Sequence, residues 1–238
     1  KALPSFPVQI SVEQSCLTCR SLKMDEARER MLEFYSTSEN SNDPLSWFEE
    51  LYRSSRRDRR LIPWDWMQPH PFLVEWIETN PHTGRALVVG SGLGEDAAFL
   101  HEKGWKVTAF DVSESAVEWA SQLHKGKEID WLVGDLVQPE EMWKEAFDLV
   151  LEVHILQAIP KEIRNRAYRN LSPLLDRKGL LMCIGRLANG LEEQDAPPWP
   201  LSRAFIRQIG EGLSEVEFHT AVVPDKEEIR YRAVWKRD

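Results

Sequence analysis

The chain has 238 residues, at the upper end of a single domain and ample for one buried core. Its 30 Lys and Arg stand against 39 Asp and Glu, and the resulting charge of −9 repels polyphosphate, so nucleic acid is not an expected partner. No stretch approaches the ~20 consecutive apolar residues that span a bilayer, and the first residues from Lys1 lack a charged-then-apolar leader, so no membrane partner and a cytoplasmic location are expected.

Residues 1–45 are rich in Ser, Asn and Pro and read as an N-terminal extension. Within it Met24, Ala27, Met31 and Phe34 recur at helical spacing, which predicts an amphipathic helix from Met24 to Tyr35. That face suits packing on a core or a lid over a site. Cys16 and Cys19 form a lone CxxC with no second pair to complete a tetrahedral zinc set, so no metal is expected. The third cysteine, Cys183, sits in an apolar run that reads as a buried strand.

Asp43-Pro44 and His70-Pro71 are helix starts, the proline preset for the first turn, leading into Leu45–Ser55 and a helix through Thr79. From Arg85 short apolar runs alternate with amphipathic helices, the pattern of βαβ units and a parallel sheet. Arg85–Val89, Trp105–Phe110, Ile129–Val133, Phe147–Val153 and Gly179–Gly185 are the expected strands. Helices are expected at Gly94–Lys103, from a Ser115/Glu118 capping box to His124, and at Pro160–Leu175. Glu215–Val223 and Ile229–Trp235, joined by a Pro-Asp turn, close the chain as a hairpin. The expected fold is α/β: a doubly wound, mostly parallel, seven-stranded sheet with a terminal antiparallel hairpin.

The strongest chemical signal is the apolar strand that runs into Gly90-Ser91-Gly92-Leu93-Gly94 and then a helix. Glycines there let the backbone turn sharply and a ligand approach without a Cβ in the way. About 20 residues on, Asp111 ends the next strand, where a carboxylate can accept hydrogen bonds from both ribose hydroxyls. A dinucleotide fold would want a third glycine where Glu95 stands, and that carboxylate disfavours a pyrophosphate at the helix mouth while tolerating a cationic ligand without phosphates. S-adenosylmethionine is such a ligand.

The GxGxG spacing with Asp111 resembles the class I methyltransferases over about residues 84–238. The resemblance implies S-adenosylmethionine as cofactor, a small-molecule methyl acceptor, and a methyltransferase domain over 46–238 with a tryptophan-rich cofactor cover at 46–83. It implies cofactor binding by Gly90, Gly92 and Gly94, by Asp111 with Val112 beside it, and by Asp135 and Leu136 after the third strand. Asp135 is also compatible with a helix cap.

Phe147 through Pro160, with Arg164, more narrowly resembles the thiopurine S-methyltransferase and thiol/halide methyltransferase group. Trp47, Tyr52 and Pro63-Trp64-Asp65 repeat that group's lead-in, with Trp66 where glycine is common and Glu152 where aspartate is usual. Trp47 and Trp64 are thereby expected to cover the cofactor, and Trp47, Trp64 and Trp66 suit cation–π contact with a sulfonium. Glu152 is expected to orient cofactor or acceptor. His154 suits a general base or a structural role. The resemblance makes the acceptor a thiol or related soft nucleophile; an O- or N-methyltransferase and a non-catalytic cofactor-binding module are the other readings. Arg53, Arg56, Arg57, Arg59 and Arg60 form a basic run that suits an anionic acceptor or a solvated helix end. Ala196–Pro200 reads as a stiff loop near the acceptor or a plain connection.

Overall fold

The computed structural model describes residues 26–39, 41–190, 196–223 and 228–238. Cys16, Cys19, Met24 and the Pro-Asp turn lie outside the described residues. Seven strands form one sheet in the order β3-β2-β1-β4-β5-β7-β6: β1 Arg85–Val89, β2 Lys106–Asp111, β3 Ile129–Val133, β4 Phe147–Val153, β5 Leu175–Leu187, β6 Ser214–Val223 and β7 Glu228–Lys236. β1 to β5 run parallel, and β7 pairs antiparallel with both β5 and β6. β1 lies between β2 and β4, where successive connections lead to opposite sides. Ligands in open α/β sheets bind beyond the carboxyl ends of the strands at such a switch point.

Helices cover both faces. Helix α1 (26–38), α2 (Ser46–Ser54), α5 (Glu114–Leu123), α6 (Lys161–Ala167) and α7 (Arg203–Ile209) share one core with Leu87, Val89, Val150, Cys183 and Tyr231. On the other face α3 (Pro71–Thr79) and α4 (Glu95–Glu102) pack on Val88, Ala109, Leu151 and Ile184. Leu149, Val150 and Leu151 are all fully buried, as expected of a strand covered on both sides.

Three elements differ from the reading of the sequence. Strand β5 begins at Leu175, not Gly179: Leu175 pairs with Phe147, polar residues 176–178 leave the register, and Leu180 resumes it against Leu149. A Cβ on Gly179 would lie 2.7 Å from the Phe147 carbonyl oxygen, so that bulge needs glycine. The helix expected over Pro160–Leu175 continues after Ala167 only as 3-10 turns, Tyr168–Asn170 and Ser172–Leu174, because Pro173 offers no amide and disfavours α geometry before it. Helix α5 is capped by Ser113, whose Oγ accepts from the Ala116 amide, while Ser115 is bonded to α2. The N-terminal helix turns Ala27, Met31 and Tyr35 into the core, with Phe34 only partly buried. Among the described residues no helix is long and apolar enough to cross a membrane.

Candidate active site

The chain leaves β1 through three glycines in the left-handed region, Gly90 at φ 59°, Gly92 at 52° and Gly94 at 84°. A Cβ on Gly90 would collide with Ile155, and one on Gly94 with Trp131. Gly94 is the N-cap of α4, and its amide donates to the Ser91 carbonyl at 2.9 Å. Asp111 at the end of β2 is 6% exposed. Its Oδ2 accepts from the Gly92 amide at 2.9 Å and its Oδ1 from the Ser113 amide at 3.0 Å. Burial pushes the Asp111 carboxyl up, and these backbone hydrogen bonds pull it part of the way back. Val112, next to it, is exposed. A buried carboxylate beside a glycine cradle fits a ribose-bearing ligand such as S-adenosylmethionine.

A strap made of α2 and residues 55–66 lies over this cradle. The Tyr52 hydroxyl stands 3.0 Å from where a Cβ of Gly92 would be, and it accepts from Trp64 Nε1 at 2.8 Å. Trp64 meets Trp47 edge-on at 5.9 Å, and Trp47 stacks on Phe48 at 3.8 Å. Trp47 Nε1 is buried without a hydrogen-bond partner among the described residues. Two polar anchors tie the strap to the helices on either side of the cradle. Glu49 accepts from Ser113 Oγ, Ser115 Oγ and the Ser115 amide at 2.7, 2.6 and 3.0 Å, tying α2 to the start of α5. Burial works against its ionisation, but the Ser115 and Ser113 hydrogen bonds prevail and hold it below its usual value. Arg59 pairs with Asp65 through two bonds of 2.6 and 2.7 Å and also with Glu95 at the start of α4.

The arginine run is therefore largely engaged within the protein: Arg53 with Glu50, Arg57 with Glu118 and Gln122, Arg59 as above, Arg60 with Asp58. Trp66 is not part of the Trp47–Trp64 group. It stacks on His70 at 5.3 Å, with the Arg230 guanidinium 4.5 Å from its ring centre.

After β3, Asp135 Oδ1 accepts from the Val137 amide at 2.8 Å and so caps a turn rather than a helix. Leu136 is buried, and its carbonyl accepts from Asn170 Nδ2.

At the end of β4 the two titratable candidates part company. Glu152 is 1% exposed and lies on the α1/α2 face, in register between Val89 and Cys183. Its Oε1 accepts from the Leu156 amide at 3.0 Å, while Oε2 is buried without a hydrogen-bond partner among the described residues. Burial raises its pKa from 4.5 to about 7, against the lowering effect of the Leu156 and Ile155 amides. His154, at φ 64°, turns to His70, ring centres 5.5 Å apart. Burial lowers its pKa to about 4, and it lowers that of His70 further still. His70 also caps α3 through Nδ1, and its backbone amide donates to Asp96, which burial raises to about 6. Trp199 of the proline-rich loop packs edge-on against Tyr35, and its amide donates to the Gln157 carbonyl.

Sequence reasoning missed Glu49, Tyr231 and the His70 ring. Tyr231, Ala233 and Trp235 alternate along β7, which marks an inward face but not what it meets.

Residues 86–179 match a family model described as a methyltransferase domain. The chain is similar to a probable thiol methyltransferase 2 of Arabidopsis thaliana, 28% identical over 174 residues that make up 69% of this chain and 75% of that protein. It is 29% identical over 131 residues to thiocyanate methyltransferase 1 of Brassica oleracea, covering 52% of this chain and 56% of the relative. Among solved structures, the N-methyltransferase NodS from Bradyrhizobium japonicum WM9 in complex with S-adenosyl-l-homocysteine shares the fold with a TM-score of 0.60 at 20% identity, over 86% of this chain and 98% of that one.

Proposed function

The chain is a class I S-adenosylmethionine-dependent methyltransferase, similar to the thiol methyltransferases, and on that premise we propose that it methylates the sulfur of a small thiol or related soft nucleophile. Its negative charge argues against nucleic acid as the acceptor.

In this reading the cofactor is held by Gly90, Gly92, Gly94 and Asp111, with Val112, Asp135 and Leu136 around the adenine and Trp47 and Trp64 closing over it. S-adenosylmethionine, when bound, would supply an activated methyl group on a sulfonium whose leaving group is a neutral thioether. The protein's part is to align the acceptor and exclude water, which the aromatic strap does. Glu152 orients the acceptor and takes the thiol proton.

The likeness to thiol and thiocyanate methyltransferases carries the choice of a soft nucleophile, and the buried Glu152 suits it. A carboxylate poised near 7 can receive a proton from a thiol, whose ordinary pKa is about 8.5, but not from an unactivated alcohol. His154, neutral and turned to His70, serves as a structural residue. The test is release of S-adenosylhomocysteine on a panel of thiols, thiocyanate, amines and carboxylates. Turnover on sulfur acceptors supports the reading; turnover confined to amines or hydroxyls would replace it with N- or O-methylation, and none on any acceptor would favour a binding module.

A further inference from the structure

Beside Glu152, on the face covered by α1 and α2, lies a group of polar atoms that neither secondary structure nor the cofactor cradle uses. Tyr231, two residues before Ala233 on β7, is fully buried, and its hydroxyl has no hydrogen-bond partner among the described residues. Its ring occupies the space over Gly185, where a Cβ would lie 2.9 Å from Tyr231 Cε1 and 2.6 Å from Gln157 Oε1. Phe218 stacks behind it at 6.2 Å. Cys183, fully buried, sits across the strand register from both Glu152 and Ala233. Glu152 Oε2 and Arg164 Nε are also buried without a hydrogen-bond partner among the described residues, while Arg164 Nη2 donates to the Ile159 carbonyl at 3.2 Å and the guanidinium stands 5.6 Å from the Trp199 ring centre.

These groups interact as one cluster. Burial first, then Glu152, Cys183 and Arg164, set the state of Tyr231, with the net effect of keeping the phenol protonated. Burial and the facing Glu152 likewise keep the Cys183 thiol protonated. The phenol, thiol and guanidinium are all donors, set against a single carboxyl group. The Cys183 thiol is engaged with Glu152, whereas the Tyr231 hydroxyl is buried without an acceptor among the described residues, at a cost of about 1–3 kcal/mol that a bound acceptor atom would relieve. The complement of buried donors is a small anion with several lone pairs, not an amine.

We propose that Tyr231 is a specificity-determining residue for the methyl acceptor, its hydroxyl donating a hydrogen bond to an anionic acceptor such as a thiolate or thiocyanate held beside Glu152. This rests on the methyltransferase reading of the same site. The phenol favours an acceptor that is already anionic or becomes so on losing its proton to Glu152, because a charged acceptor makes the stronger hydrogen bond to a buried donor.

The experiment is calorimetric titration of the S-adenosylhomocysteine complex with thiocyanate, 2-mercaptobenzoate and neutral dimethyl sulfide, for wild type and Tyr231→Phe. Phenylalanine keeps the ring over Gly185, and S-adenosylhomocysteine affinity reports an intact fold. The expected result is about tenfold weaker binding of at least one anion in Tyr231→Phe, with S-adenosylhomocysteine affinity within twofold and dimethyl sulfide unaffected. Equal losses for all ligands would make Tyr231 merely structural, and unchanged anion binding would remove its role; either overturns the inference. A wild type that binds S-adenosylhomocysteine but neither anion overturns it too, while one that does not bind S-adenosylhomocysteine overturns the parent reading.

Discussion

Glu152 offers a test in which stability and activity move in opposite directions. Its pKa rises from 4.5 in the unfolded chain to about 7 in the folded one. A raised carboxyl pKa means the folded state holds its proton more tightly, so the group's relative stability is best below 4.5 and is lost as pH climbs through about 7. At about 1.36 kcal/mol per unit, the buried carboxylate costs about 3 kcal/mol above pH 7 relative to a neutral isostere, and about 1 kcal/mol near pH 5. Glutamine preserves the acceptor for the Leu156 amide. Glu152→Gln is therefore expected to stabilise the protein at pH 8 by up to about 3 kcal/mol, with the gain shrinking at pH 5. In a chain of this length that is a rise in Tm of roughly 6–12 °C. Turnover of thiols should fall at least about tenfold, and that of thiocyanate, which has no proton to lose, should fall less. Urea denaturation at the two pH values and initial rates on both acceptors check this. Destabilisation at pH 8 would refute the reasoning, because it would mean that the carboxylate is fully compensated where it lies.

Removal of the α2 anchor by Glu49→Ala deletes three hydrogen bonds at the start of α5. It should cost about 2 kcal/mol in urea denaturation and weaken S-adenosylhomocysteine binding several-fold in calorimetry. Gly94→Ala forces a side chain into a φ of 84° and against Trp131, and should destabilise by about 3 kcal/mol or more on the same assay. For His154, with a pKa lowered from 6.5 to about 4, the stability present above pH 6.5 is lost as pH falls towards 4. His154→Gln should flatten part of that acid slope, followed by urea midpoints at pH 7.5 and 4.5, and leave the turnover profile between pH 6 and 9 unchanged. A lost titration in that range would make it the base.

The parallel strands and the glycine turn were legible because their signals are local: an apolar run, a turn that only glycine permits, and a carboxylate one strand later. What the sequence hides is set by distant partners. Glu49 reads as a solvated residue on an amphipathic helix, yet its hydrogen bonds go to Ser113 and Ser115, 64 and 66 residues away. The arginine run resembles an anion-binding patch until folding brings Glu118 to Arg57 and Glu95 to Arg59. Ser115 with Glu118 has the spacing of a capping box, but Ser113 takes the cap because α2 has claimed Ser115. Glu152 and His154 are two apart and look like a catalytic pair. Two residues apart on a strand share a face, but β4 ends at Val153, and the left-handed turn at His154 carries that ring to His70 instead. Trp66, two residues after Trp64, likewise leaves the Trp47–Trp64 group and stacks on His70.

The central claim is that the glycine turn and Asp111 hold S-adenosylmethionine. The direct measurement is calorimetric titration with S-adenosylhomocysteine of wild type and Asp111→Ala. Binding in the micromolar range, about −8 kcal/mol, that collapses in the variant is the expected result. A folded wild type that does not bind, or a variant that binds equally well, would contradict it.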